Sequence, residues 1–142
     1  MKACGLGLLL AAAAWRGMGG GAFAGTREPA EEAVALAVDG QYSRAAAILE
    51  ELLRGDPNQT QWLYFLGLCR LFDGDPVEGQ RLLARSVELG AEFPEAFVWL
   101  AKVRLQQGDE QGARQAAAAG LQRFPRHVKL RLLAGRGGEA RP

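Results

Sequence analysis

Apolar positions fall into blocks that alternate with short polar punctuation. The spacing within each block follows the helical period rather than strict alternation. The breaks VDGQYSRA, FDGDPVEG and QQGDEQGA recur at one interval, placing Gly40, Gly74 and Gly108 34 residues apart. Between and around them the pattern predicts helices over about 28–38, 42–54, 59–72, 76–89, 95–107, 110–123 and 127–134. One block is unusual. WLYFLGLCRLF, residues 62–72, carries a single charge, Arg70, whereas a surface helix is apolar along one stripe only. This helix is therefore expected to be covered on more than one side. Leu63, Leu66, Gly67 and Arg70 are expected to face the helix that follows and the next unit; Trp62, Cys69 and Phe65 are expected to face the unit before.

The same period aligns further columns. Ala33, Gly67 and Ala101 are all small, as are Ala45, Gly79 and Ala113. Leu49, Leu83 and Ala117 are apolar, and Pro57 and Pro125 stand two periods apart with Ala91 midway. The physical reading is two antiparallel helices per unit. The first ends at a glycine able to take positive φ, and the second ends before a proline that cannot continue it. Small residues sit where the paired helices cross. Neither helix buries its apolar face alone, so units must stack.

This arrangement resembles the tetratricopeptide repeat family. The match lies in the 34-residue period, the small eighth residue (Ala33, Gly67, Ala101), the turn glycine at the fifteenth, the small twentieth and the proline at the thirty-second in units one and three. Leu66-Gly67 is its most typical fragment. The resemblance implies an all-α α-solenoid of about three helix-turn-helix repeats, 26–59, 60–93 and 94–127, with a short capping helix over 128–135 and a disordered tail, 136–142. Departures are Pro29 and Glu32, which predict a weak, short first helix, and Phe93-Pro94, which replaces the closing proline of the second unit. Trp62 and Trp99 are displaced from the usual aromatic column.

In that family the leading helices line a concave face. The resemblance therefore implies an apolar partner-binding groove formed by Tyr64, Leu68, Leu71, Phe72, Val98, Lys102 and Leu105. Its occupant would be an extended or helical peptide. The alternative reading makes these side chains core, or a self-association surface. The carboxylate-clamp form of the family uses Lys and Asn at the fifth and ninth positions. Here those are Tyr64, Leu68, Val98 and Lys102, and only Lys102 fits, so that specificity is not implied.

Composition and charge narrow the remaining chemistry. The chain has 142 residues, 49% hydrophobic and 23% charged, which suits one domain with a core. Net charge is +1, so no global field draws it to nucleic acid. Residues 25–100 hold 6 basic and 13 acidic side chains, and residues 101–142 hold 9 basic and 3 acidic. The basic C-terminal end reads either as a solvated capping helix or as a contact for an anionic partner such as a membrane surface or an acidic protein. Few aromatics interleave its arginines, which argues against nucleic acid. No run reaches the roughly 18 apolar residues of a membrane span.

Residues 1–24 pattern as a signal peptide. Lys2 precedes an apolar run, Ala3 to Ala14, and Ala22-Phe23-Ala24 is an A-x-A site with cleavage after Ala24. The alternative is an uncleaved N-terminal anchor. Cleavage would leave Cys69 as the single cysteine, expected as a buried core residue rather than a nucleophile. One histidine, His127, and one remaining cysteine make no metal set. No phosphate loop or nucleophile motif is present, and Asp75 and Asp109 read as helix caps. The expectation is a non-catalytic adaptor, without cofactor, that binds a protein or peptide. Alternatives are an assembly factor of a bacterial envelope machine, of pilus-biogenesis or cytochrome c maturation type, and a self-associating structural module.

Overall fold

Three turns of one construction set the architecture. Gly40, Gly74 and Gly108 take φ of +85°, +92° and +80°, the left-handed region where a side chain is strained. Each lets the chain fold back so that the following amide reaches the carbonyl five residues earlier. Gln41 N–H donates to Leu36 O at 2.8 Å, Asp75 to Arg70 O at 2.9 Å and Asp109 to Arg104 O at 2.9 Å. These are Schellman closures that satisfy the last carbonyls of each leading helix. Asp75 then accepts from Glu78 N–H at 3.2 Å and Asp109 from Gly112 N–H at 2.8 Å, capping the following helices as expected.

The computed structural model describes residues 27–139, and among these the chain forms helices and no strand. The helices are α1 Arg27–Val38, α2 Tyr42–Gly55, α3 Thr60–Phe72, α4 Pro76–Glu88, α5 Pro94–Gln106, α6 Glu110–Arg123 and α7 Val128–Glu139. Prolines open α4 and α5 at the first helical turn, where no amide is needed. The expected signal peptide, residues 1–24, lies outside the described residues, as does the end of the tail, 140–142.

Two elements differ from expectation. α1 is a full twelve-residue helix, because Pro29 falls in its first turn, where proline costs nothing. α7 runs on to Glu139 rather than stopping near residue 135. Gly135 lacks the positive φ of the turn glycines Gly40, Gly74 and Gly108, so the helix is not reversed there.

The chain forms two compact units, divided after Leu89. In the first, α1 pairs with α2 and α3 with α4; α3 also packs on α2 and touches α1. Its core holds Ala33, Ala45, Leu49, Phe65, Leu83 and Cys69. Gly67 and Gly79 let α3 and α4 approach backbone to backbone. Ser86, fully buried in α4, donates its hydroxyl to Thr60 O at 2.9 Å and so ties α4 back to the start of α3. Arg70 pairs with Glu50 of α2. It therefore faces the preceding hairpin rather than α4 as expected, because a half-buried guanidinium goes to the carboxylate within reach.

In the second unit, α6 lies between α5 and α7, and α5 also meets α7. The buried face of α6 is built only of small residues, Gly112, Ala113, Ala116, Ala117 and Gly120. Gly120 is the tightest point. A Cβ there would stand 2.8 Å from both Phe97 Cβ of α5 and Leu130 Cδ1 of α7. Phe97 and Phe124 meet edge to face, with centroids 6.2 Å apart. Arg123 donates to Gly90 O at 2.9 Å and Ala91 O at 3.0 Å, closing the loop that enters α5.

Candidate partner-binding surface

α3 is buried without interruption from Trp62 to Cys69. Its apolar circumference is matched by neighbours α1, α2 and α4, the situation of a helix that is hydrophobic all round. Tyr64 and Leu68 are consequently core residues, each 0% exposed. The Tyr64 ring sits edge to face with Phe65 at 5.2 Å. Val98 of α5 is likewise buried, at 4%. These three residues, expected to line a groove, are each buried in this structure. Their burial follows from the same apolar character that marked them as a binding surface.

The other expected residues keep some accessible surface. In the first unit Leu71 and Phe72 are half-buried at the end of α3. Phe72 lies against Tyr42 of α2 with centroids 5.9 Å apart. Beside it, Ser43 Oγ is 3.3 Å from Asp73 Oδ2. In the second unit Lys102 and Leu105 are half-buried on α5. The Lys102 ammonium stands 4.8 Å from the centroid of the Trp99 ring, one helical turn earlier, a cation–π contact. Burial, and then the positive charge of Lys129 on α7, hold the Lys102 ammonium below the usual lysine range.

Three features of the second unit were not singled out from sequence. Trp99 supports Lys102, the charge of Lys129 acts on it, and Val128 and Leu132 stand 66% and 65% exposed on α7. An i,i+3 scan for Trp–Lys pairs would have found the first. The Lys129 approach depends on how α7 packs on α5, which no local pattern encodes.

Cys69 is buried, and burial pushes its thiol up to about 12, so it stays protonated and inert at neutral pH. Among the described residues no group of three or more His, Cys, Asp or Glu side chains is placed to hold a metal ion. No helix among them is long and apolar enough to cross a membrane.

No family model matches the chain, and no curated protein does. Solved structures do. The Sgt2 TPR domain from Aspergillus fumigatus is 15% identical with TM-score 0.69, the match covering 82% of this chain and 84% of that one. The first TPR of Spaghetti (RPAP3), bound to the HSP90 peptide SRMEEVD, is 12% identical with TM-score 0.71 and coverage of 81% and 91%. The Yersinia enterocolitica type III secretion chaperone SycD, in complex with a peptide of the translocator YopD, is 17% identical with TM-score 0.67 and coverage of 79% and 86%. The fold is that of a tetratricopeptide-repeat domain. The expected all-α solenoid class, with its helix-turn-helix repeats, is thus what the chain adopts. Of the residues expected to line a groove, Tyr64, Leu68 and Val98 are buried, and Leu71, Phe72, Lys102 and Leu105 keep some accessible surface.

Proposed function

We propose that the protein is a non-catalytic adaptor that binds a peptide segment of another protein. The observation that carries this reading is the tetratricopeptide fold itself. Two of the solved domains it resembles were captured with peptides bound. The accessible inner-row residues suit such a task. Leu71 and Phe72 offer apolar surface on the first unit, and Leu105 with the Lys102–Trp99 pair offers a mixed surface on the second. The absence of any catalytic or metal-binding motif in the sequence fits a role that needs only recognition.

The test is selection from a bead-displayed library of random short peptides with the full chain. An adaptor enriches a recurring sequence pattern, and Leu105→Glu lowers that enrichment while Arg114→Glu, on an exposed position of α6, does not. Failure to enrich anything above a helical control protein removes the adaptor reading.

The leader pattern of residues 1–24 supports an exported adaptor, of the kind that serves assembly of a bacterial envelope machine. Mass spectrometry of the chain produced in a bacterial host tests this, since an exported product begins at Gly25 and is found outside the cytoplasm. An intact, cytoplasmic chain removes the envelope reading and leaves peptide binding untouched.

A further inference from the structure

We infer that the outward face of α7 docks α1 of a second copy of this chain, the two helices lying antiparallel with Leu132 against Ala35, and Lys129 and Arg131 against Glu32 and Asp39. The contact is heterologous, joining unlike faces. It is independent of the adaptor reading, since it uses none of Leu71, Phe72, Lys102 and Leu105.

α7 is a leading helix without its second. α1, α3 and α5 each pair with the helix that follows, whereas α7 packs back on α6 and α5 and is followed by no helix among the described residues. It buries Leu130 and Leu133 and turns Val128 and Leu132 outward, one turn apart on the opposite side. The column of small residues marks what α7 lacks. Ala33, Gly67 and Ala101 are buried, and a Cβ on Gly67 would meet Gly79 O of the paired helix at 3.1 Å. Gly135 is the next member of that column at the 34-residue period, and a Cβ there would meet nothing within 4 Å. The end of a repeat stack normally carries a polar outer face. This one keeps two exposed apolar side chains and a glycine that a second helix can approach closely.

Charge selects the occupant. α4, α5 and α6 each open with an acid, Glu78, Glu95 and Glu110, and close with a base, Arg85, Arg104 and Arg123, as the helix dipole favours. The first and last helices depart from this in opposite senses. α7 has no acid in its first turn, which holds exposed Lys129 and Arg131. α1 has no base in its last turn, and exposed Asp39 follows it. α1 buries Ala30, Ala33, Val34 and Ala37 and turns Glu32, Ala35 and Asp39 outward. In an antiparallel pair the start of α7 meets the end of α1. Each charge that its own helix dipole disfavours then gains a partner of opposite sign, and Ala35 leaves room for Leu132. Residues 1–24 contain no acidic side chain, so the leader does not complement this face. A bilayer would cover Val128 and Leu132 but offers nothing to the acids of α1.

The experiment is analytical ultracentrifugation of the full chain over a concentration series. A single helix pair buries less than the roughly 1,600 Å² of a standard interface, so a dissociation constant of about 1–100 μM is expected. Lys129→Glu/Arg131→Glu and Glu32→Lys/Asp39→Lys each weaken association by about tenfold or more, and an equimolar mixture of the two restores it, because the reversed faces again meet as opposite signs. Leu132→Ser weakens it as well. Circular dichroism checks that each variant is helical; should a reversal cost helicity, Lys129→Gln/Arg131→Gln and Glu32→Gln/Asp39→Asn carry the same direction. A wild type that stays monomeric, a mixture as weak as its components, or association indifferent to Glu32 and Asp39 overturns the inference. Two further results also overturn it. Association lost when the chain begins at Gly25 assigns the face to the leader. Co-sedimentation of a monomeric wild type with phosphatidylglycerol vesicles, lost in Lys129→Glu/Arg131→Glu, assigns it to a membrane. None of these outcomes bears on peptide selection by the adaptor.

Discussion

Gly67 and Gly79 face each other across the α3–α4 crossing, each standing where the other's Cβ would fall. A Cβ on Gly67 would lie 3.1 Å from Gly79 O, and one on Gly79 would lie 2.9 Å from Gly67 O. The relation is not symmetric in its consequences. The Cβ of Gly79 also meets Leu71 N at 3.0 Å, whereas that of Gly67 meets Leu83 Cγ at 3.1 Å and Leu82 Cβ at 3.3 Å. Backbone gives way less readily than side chains. Gly79→Ala is therefore expected to destabilise the chain by about 1–3 kcal/mol through overpacking, more than enough to cancel the roughly 1 kcal/mol gained from helix propensity. Gly67→Ala is expected to cost less, and Gly67→Leu to unfold the first unit. Urea titrations followed by circular dichroism rank the three. A ranking with Gly79→Ala the most tolerated would show that the crossing is looser than described.

Arg123 fastens the entry to α5 through the carbonyls of Gly90 and Ala91. Gly90 holds φ at +85°, so the loop is fixed by a conformation and by a cation together. Arg123→Met is expected to cost about 1 kcal/mol. Arg123→Lys recovers only part, because one guanidinium nitrogen, Nη1, donates to both carbonyls and a more strongly hydrated, more mobile ammonium holds that position less well. Faster amide hydrogen exchange around residues 90–94 in Arg123→Met, with α3 unchanged, is the matching local signature.

Lys102 gives a pH dependence with a definite sign. Its folded pKa is lowered by burial and by Lys129, so the folded chain releases this proton at a lower pH than the unfolded chain does. The unfolded state binds more protons in that interval, and stability rises with pH across it. At neutral pH the charged ammonium is a cost. Lys102→Met is expected to melt higher than wild type near pH 7, with the gap closing as pH rises through the alkaline range. A gap that widened with pH would contradict the assignment.

Cys69 is sealed in the first unit, and its thiol is held up to about 12. In a Cys4→Ser background, a disulfide reagent is expected to label the folded chain only at the rate of unfolding. Raising pH from about 7 to 9 should not produce the acceleration of an ordinary thiol, whose pKa lies near 8.5. Rapid labelling under native conditions would place Cys69 nearer the surface. Cys69→Ser, which buries a hydroxyl, is expected to destabilise by about 1–3 kcal/mol.

The turn glycines and helix caps were legible in the sequence because they answer to local rules. Gly40, Gly74 and Gly108 take positive φ since a helix that reverses needs a residue without Cβ. Asp75 and Asp109 cap because a short carboxylate before a helix reaches the third amide on. The end of the last helix was less legible, because the tail after residue 135 reads as disordered while α7 continues to Glu139.

The binding surface was less legible, because apolar character looks the same on a groove as in a core. Tyr64, Leu68 and Val98 carry the inner-row signature, and all three are buried. Lys129 is 27 residues from Lys102 and shares no motif with it. The sequence by itself determined where the hairpin turns fall, which positions must stay small and that hairpins repeat every 34 residues, since all of these follow from backbone geometry within a few residues. Only the tertiary structure decided which apolar faces are covered and which cations meet. Those outcomes depend on how α1, α2 and α4 surround α3, and on how α7 settles against α5, and packing between distant segments is fixed by shape rather than by spacing.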